Sequence, residues 1–180
     1  GGGPGGCETA RVAAELGHKV TLFEQQDQLG GGLRLCAAPP GREEFYELIN
    51  YHADCLARSN VDVRMNTAAT VEAVKELEPD LVVYAGGAEP VVPALMQNTK
   101  HPNVHLAKDV LLGNSPCYGD TVSVGGGAVG CETALYLSHN DQMQSNVAAF
   151  LIRTGAETAE RVADLMNDPI RQVHLVEMLP

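Results

Sequence analysis

Glycines at G-x-G-x-x-G spacing occur twice, as Gly1, Gly3 and Gly6 and again as Gly125, Gly127 and Gly130. Each set leads into a helix-forming stretch, and each is followed further on by a short apolar run ending in glutamate, Glu24 and Glu177. Residues of these types in this order handle a pyrophosphate. The first glycine permits a tight turn, the second lets backbone approach phosphate because no Cβ intervenes, and the third lets the helix pack closely on the sheet. The helix start adds unpaired N–H groups and the positive end of the helix dipole. A carboxylate about 20 residues beyond the first glycine accepts hydrogen bonds from a ribose 2′-hydroxyl. Glu24 fits that spacing, about 23 residues after Gly1. Glu177 stands about 52 residues after Gly125, so something of about 30 residues is inserted into the second unit. One glycine run alone reads as readily as a flexible turn; two, each with helix and acid in order, read as a pair of dinucleotide sites.

The elements that must hold these residues can be traced around them. Cys7 to Leu16 reads as a helix ended by Gly17-His18, and Lys19–Phe23 as a strand with Glu24 at its tip. Leu29–Leu33 forms a further glycine cluster, and Ala37-Ala38-Pro39-Pro40-Gly41 is held out of helix by its prolines. Arg42 to about Arg58 reads as an amphipathic helix with Phe45, Leu48, Ile49 and the stretch from His52 to Leu56 on its apolar face; Val61–Met65 follows as a strand and Thr70–Leu77 as a helical turn or two. Asp80–Ala85 reads as a buried strand running into Gly86-Gly87-Ala88-Glu89-Pro90. Val91–Pro116 is a connector with a strand at Val104–Leu106 and a short helix at Lys108–Leu112. In the second unit, Thr121–Val124 is the strand before the glycines, Ala128 to about Leu137 the helix after them, and Val173–Val176 the strand carrying Glu177. The insertion between them begins with polar Ser138 to Gln142. It continues in two helix-like stretches, about Ser145–Arg153 and Ala156–Asn167, forming a hairpin through Val147, Phe150, Leu151, Val162, Leu165 and Met166.

Composition narrows the function classes. A formal net charge of −11 repels phosphate polymers and anionic lipid surfaces, which argues against nucleic-acid and membrane roles. No apolar run approaches the roughly 20 residues a membrane span requires. The odd set of five cysteines, Cys7, Cys36, Cys55, Cys117 and Cys131, contains no CxxC pair, which suits a reducing, cytoplasmic setting better than a disulfide framework. The six histidines show no metal-ligand spacing, so no metal site is expected. The chain opens on a fingerprint glycine and stops three residues after Glu177, so it reads as a piece of a larger protein.

The order of these motifs resembles a known family. The fingerprint, Leu22-Phe23-Glu24, Leu29-Gly30-Gly31, Pro39-Pro40-Gly41-Arg42-Glu43-Glu44-Phe45, Val82–Pro90 and a second fingerprint continued by Cys131-Glu132-Thr133-Ala134 are similar to the C-terminal part of the old-yellow-enzyme-related iron–sulfur flavoenzymes. That group includes 2,4-dienoyl-CoA reductases, 2-enoate reductases, NADH:flavin oxidoreductase/NADH oxidases and trimethylamine dehydrogenase. The resemblance covers nearly the whole chain outside the insertion. It implies an α/β, Rossmann-like two-dinucleotide-binding-domain fold, with residues 1–115 as the FAD-binding domain and residues 116–180 as the NAD(P)H-binding domain; the insertion at about residues 138–172 departs from the family and reads as a structural elaboration over the nucleotide site rather than a separate catalytic unit.

Carried over by position, the resemblance places Gly1, Gly3 and Gly6 at the FAD pyrophosphate and Glu24 at its adenosine ribose. Gly30, Gly31 and Gly32 fall where backbone passes the flavin-side phosphate, and Gly87 in a crossing between domains near the cofactor; Gly86 replaces the family's usual threonine. Gly125, Gly127 and Gly130 would hold the NADH pyrophosphate, and Glu177 would bind the 2′-hydroxyl and repel the 2′-phosphate of NADPH. Cys36 lies near where disulfide reductases of the superfamily carry a cysteine pair, but it has no partner at CxxxxC spacing and reads as a core or incidental cysteine. Cys7 and Cys131 read as small buried side chains. The implied activity is an oxidoreductase relay from NADH through FAD to an FMN and an iron–sulfur cluster in an N-terminal barrel outside these residues, where an activated C=C bond is reduced; a homo-oligomer is compatible with this. No cluster ligand, FMN site or catalytic acid is identifiable here. Two other readings stand beside it: a stand-alone NADH oxidase or disulfide-reductase-like flavoenzyme, and a non-catalytic ADP- or FAD-binding module.

Overall fold

The computed structural model describes residues 1–94, 96–97, 101–140, 143–167 and 171–178. Asp141 and Gln142 of the polar stretch, residues 168–170 and part of the 91–116 connector lie outside the described residues. The chain divides into two compact units, Gly1–Gln97 and Asn98–Pro180. Each is built around one pair of parallel strands with the fingerprint helix packed on it.

In the first unit, helix α1 (Pro4–Glu15) begins inside the fingerprint rather than after it. Proline suits that first position because its fixed φ is helical and the N–H it lacks would have no partner there. The helix stops at Leu16 because Gly17 takes φ +89. The Gly17 N–H then bonds the Ala14 carbonyl and the His18 N–H the Ala13 carbonyl, capping the last turn. Strand β1 (Val20–Phe23) follows, then helix α2 (Gly32–Ala37), helix α3 (Glu44–Arg58), strand β2 (Val61–Arg64) and the short helix α4 (Val71–Lys75), whose first turn is capped by Thr70 Oγ1 accepting from the Ala73 N–H. Helix α3 carries Glu44 and Glu47 in its first turn and Arg58 in its last, matching the helix dipole at both ends. The strands run parallel in the register Val20↔Val61 to Phe23↔Arg64. Cys7, Ala10, Leu22 and Leu56 form the buried core between α1, the strands and α3, flanked by Val20, Leu29, Val61 and Val63.

The second unit comprises helix α5 (Ala107–Leu111), strand β3 (Thr121–Val124), helix α6 (Ala128–Asn140), helices α7 (Ser145–Thr154) and α8 (Ala159–Asn167), and strand β4 (Val173–Val176). Strands β3 and β4 pair parallel from Thr121↔Val173 to Val124↔Val176, although the insertion separates them. The inserted helices pack on each other as a hairpin, but the buried contacts come from Ala148 and Val162. Leu151 and Leu165 are half-buried, while Val147, Phe150 and Met166, expected inside, are about half exposed.

Three expectations are corrected. Residues 80–85 form no strand, and Leu81, Val82, Val83 and Tyr84 are 80%, 60%, 54% and 90% exposed. A run apolar on both faces becomes a central strand only with neighbours at its edges and layers above and below, and among the described residues no strand pairs with it. Val104–Leu106 is likewise not a strand; Leu106 is the residue that starts α5. Ala37, read as held out of helix by the prolines that follow it, instead ends helix α2, which forms because Leu33, Arg34, Leu35 and Ala37 are good helix formers.

Leu56 is 2% exposed within the first core, and Leu81 is 80% exposed. Leu56→Ala is expected to cost about 2–5 kcal/mol of unfolding free energy, against less than about 0.5 kcal/mol for Leu81→Ala, read from denaturant midpoints.

Candidate functional site

In the first unit α1 packs on β1, and the return of the chain from the end of α1 into β1 brings the end of the strand beside the fingerprint turn. Glu24 is only 7% exposed there, and its carboxylate accepts the Gly2 N–H at 2.6 Å on Oε2 and the Gln26 N–H at 2.8 Å on Oε1. A buried carboxylate requires such partners, since an unpaired charge there would be strongly disfavoured. Each oxygen keeps a second lone pair with which to accept a further hydroxyl. The Gly30 N–H donates to the Gly2 carbonyl at 2.8 Å, which lays the second glycine turn against the first. A Cβ on Gly31 would stand 3.0 Å from Gly3 Cα, so the second turn needs bare backbone where it meets the first. Gly32 follows as the first residue of α2.

The second unit repeats the arrangement. The Gly126 N–H donates to Glu177 Oε2 at 2.5 Å and the Met178 N–H to Oε1 at 2.6 Å. The third glycine of each set is demanded by packing: a Cβ on Gly6 would lie 1.8 Å from the Gly1 carbonyl oxygen, and on Gly130 1.7 Å from that of Gly125. Gly125 itself has φ +110, a conformation that side chains resist, while its N–H extends the ladder to the Val176 carbonyl at 2.8 Å. Insertion of the hairpin therefore leaves Glu177 in the second unit where Glu24 stands in the first.

The middle glycines have a different explanation. A Cβ on Gly127 would meet nothing within 4 Å, and on Gly3 only Gly31 Cα at 4.0 Å; Gly3 also has an ordinary φ of −73. Nothing within the protein requires glycine at these two positions. Open space before a helix start is what a closely approaching phosphate needs, so both fingerprints fit a dinucleotide. Gly1 lies against the Ala85 carbonyl, which its absent Cβ would approach to 2.4 Å, and this brings the segment leading to Gly87 up to the first fingerprint; Gly87 has φ +76.

The likeness of the two units runs past the glycines. Gly1–Ala10 and Gly125–Ala134 are identical at eight of ten positions, ending in Cys-Glu-Thr-Ala. Thr9 Oγ1 donates to the Gly5 carbonyl and Thr133 Oγ1 to the Val129 carbonyl, each at 2.7 Å. Cys7 and Cys131 each donate to the carbonyl of the middle residue of the G-x-G turn. Direct alignment of the two decapeptides would have singled out these threonines and the bonding role of the cysteines. Cys131 is exposed, against the expectation of a buried side chain; α6 packs on β3, β4 and the short α5, while α7 and α8 pack on each other. Beside Cys7 on α1, the Arg11 guanidinium bonds both oxygens of Glu8 and holds its carboxyl below the usual range. All five cysteines are free, Cys36 among them. Among the described residues no cluster of metal-ligating side chains occurs, and no helix is long and apolar enough to cross a membrane.

Burial, reinforced by the Glu24 carboxylate, pushes the Cys7 thiol up to about 11. At pH 8 about one Cys7 in a thousand is then thiolate, the reactive form. Iodoacetamide at that pH is expected to label Cys131 and to reach Cys7 only after unfolding, as peptide mass spectrometry would show. Gly130→Ala is expected to lower the thermal midpoint by several degrees and to weaken nucleotide binding, because the displaced neighbour is backbone.

Residues 1–180 match the family described as Pyridine nucleotide-disulphide oxidoreductase. A metal reductase of Desulforamulus reducens is 40% identical over 182 residues, covering 99% of this chain and 27% of the relative. An NADH oxidase of Thermoanaerobacter brockii is 40% identical over 141 residues, 77% of this chain and 22% of that protein. Among solved structures, a 2-naphthoyl-CoA reductase in complex with 2-naphthoyl-CoA aligns with a TM-score of 0.73 and 27% identity over 97% of this chain and 27% of that one. The chain thus spans about a quarter of the length of these relatives. The resemblance to the iron–sulfur flavoenzymes and the Rossmann-like α/β fold read from the motifs are both borne out. This chain belongs to the pyridine nucleotide-disulphide oxidoreductase family and carries part of its FAD- and NAD-binding fold.

Proposed function

We propose that this chain is the cofactor-binding part of a larger flavin-dependent oxidoreductase, in which residues 1–115 hold FAD and residues 116–180 hold NADH. The observation that carries this reading is the duplicated clamp, in which a strand-end carboxylate accepts the N–H of the residue between the first two fingerprint glycines, Glu24 from Gly2 and Glu177 from Gly126. Two sites of one chemistry in one chain suit a donor and an acceptor dinucleotide, with hydride passing from NADH to FAD as the chemistry the cofactors supply. The chain's own residues bind and orient. Gly1, Gly3 and Gly6, with Gly30 to Gly32, form the bare surface for the FAD phosphates, and Glu24 takes the ribose hydroxyls. Gly87 lies in the crossing near that cofactor. Gly125, Gly127 and Gly130 receive the NADH pyrophosphate.

At the second site Glu177 accepts from the ribose 2′-hydroxyl and repels a 2′-phosphate, which favours NADH over NADPH. The names of the relatives, a metal reductase, an NADH oxidase and a 2-naphthoyl-CoA reductase, support electron transfer onward to an acceptor held elsewhere in the parent. We assign that acceptor to an N-terminal barrel carrying FMN and an iron–sulfur cluster and acting on an activated C=C bond. The five free thiols support a reducing, cytoplasmic setting.

Anaerobic titration of the full-length, FAD-loaded protein with NADH and with NADPH tests the reading through flavin absorbance. NADH is expected to bleach the flavin at a concentration about tenfold or more below that of NADPH, the worth of one hydrogen bond to a charged acceptor. Glu177→Gln, which keeps an acceptor for the Gly126 N–H but removes the charge, is expected to narrow that preference. Absence of bleaching by either nucleotide would overturn the relay.

A further inference from the structure

We propose that the cysteine immediately after each fingerprint, Cys7 and Cys131, is a positioning residue: its thiol pins the peptide plane from which the fingerprint presents a backbone N–H to the dinucleotide phosphates. The proposal deepens the two-site reading above and rests on it.

Cys7 Sγ donates to the Gly2 carbonyl at 3.2 Å, and Cys131 Sγ to the Gly126 carbonyl at 3.4 Å. Gly2 and Gly126 are the same residues whose N–H groups are taken by Glu24 and Glu177. Each apex glycine is therefore held from both ends, its N–H by a carboxylate and its carbonyl by a thiol. In the first unit the Gly30 N–H adds a second donor to that carbonyl at 2.8 Å. A trans peptide is planar, with its C=O and N–H pointing in opposite directions. Turning the Gly2 carbonyl towards Cys7 thus turns the Gly3 N–H the other way, and the Gly126 carbonyl sets the Gly127 N–H likewise. Gly3 and Gly127 both face open space. A run of three glycines would otherwise let this peptide plane rotate, since glycine restrains its backbone less than any other residue.

The two cysteines differ in surroundings. Cys7 is 1% exposed at the centre of the first core, whereas Cys131 is exposed. Burial of a small side chain accounts for the first but not for the second, yet both make the same bond. A thiol is a weak donor, and its contact with a carbonyl is second-order in energy; such contacts carry weight where a geometry recurs, as it does here. The raised pKa of Cys7 keeps its proton in place for donation.

Cys131 is the position to test, because its exposure leaves the fold insensitive to its replacement. Cys131→Ala removes the donor, and Cys131→Ser restores one at similar size. Dissociation constants for NAD+, which cannot reduce the flavin, and for ADP-ribose are measured by calorimetry on the full-length, FAD-loaded protein, with the thermal midpoint and the infrared S–H stretch recorded alongside. The expected result is about two- to fivefold weaker binding of both ligands in Cys131→Ala, recovery in Cys131→Ser, equal thermal midpoints, and an S–H band shifted to lower frequency than that of a solvated thiol. Unchanged affinity in Cys131→Ala, equal loss in both variants, or an unshifted S–H band would each overturn the proposal. Failure of the wild-type protein to bind either ligand would instead overturn the dinucleotide reading on which it stands.

Discussion

A carboxylate at the end of one strand, reaching back to the backbone N–H at the apex of a glycine turn, is the contact on which each half of this protein depends. It forms because the strand that carries the acid packs on the fingerprint helix, β1 on α1 and β4 on α6, and ends beside the start of that helix. Once there, the acid is both satisfied and confined. Glu24 is buried with two N–H donors, one per oxygen, and Glu177 has the same pair of donor types. The turn gains an anchor that glycine cannot supply by itself, and the buried Glu24 gains the partners that make its charge tolerable out of water, whereas Glu177 is exposed.

From that anchor the remaining features follow as steric consequences. With the apex fixed, the helix must start within a bond or two of the turn, which excludes any Cβ from Gly6 and Gly130. The strands then sit close under the helix, and small residues such as Cys7 and Ala10 fill the space between. The middle glycines stay open to the outside because everything else around the turn has been drawn inward. The side chains that touch this bare backbone surface are few, the two acids above all.

Much of this was legible in the residues. The spacing of glycines and acids located both turns, the helix after each and the strand that carries each acid, since glycine sterics and helix periodicity are local properties. The hairpin of α7 and α8 was legible as two amphipathic stretches, but not which side chains it buries, because a two-helix hairpin has one shallow seam and Val147 and Phe150 fall beside it. Residues 80–85 misled for the opposite reason: their composition specifies a strand enclosed by neighbours, and strand formation depends on those neighbours rather than on the run itself. The bonds made by Cys7, Cys131, Thr9 and Thr133 carry no signature in one copy, and only the repetition of Cys-Glu-Thr-Ala distinguishes them.

The hairpin inserted before β4 also bears on how freely this protein can vary. The clamp from Gly2 to Glu24 closes a segment of 22 residues and that from Gly126 to Glu177 one of 51. Loop-closure entropy grows only with the logarithm of length, so the longer ring costs about 0.7 kcal/mol more than the shorter. A difference so small is offset by a single well-buried side chain in the hairpin, such as Val162 at 2% exposure. The span between α6 and β4 is thus a place where whole elements can be gained or lost while the register of β4 against β3 is kept.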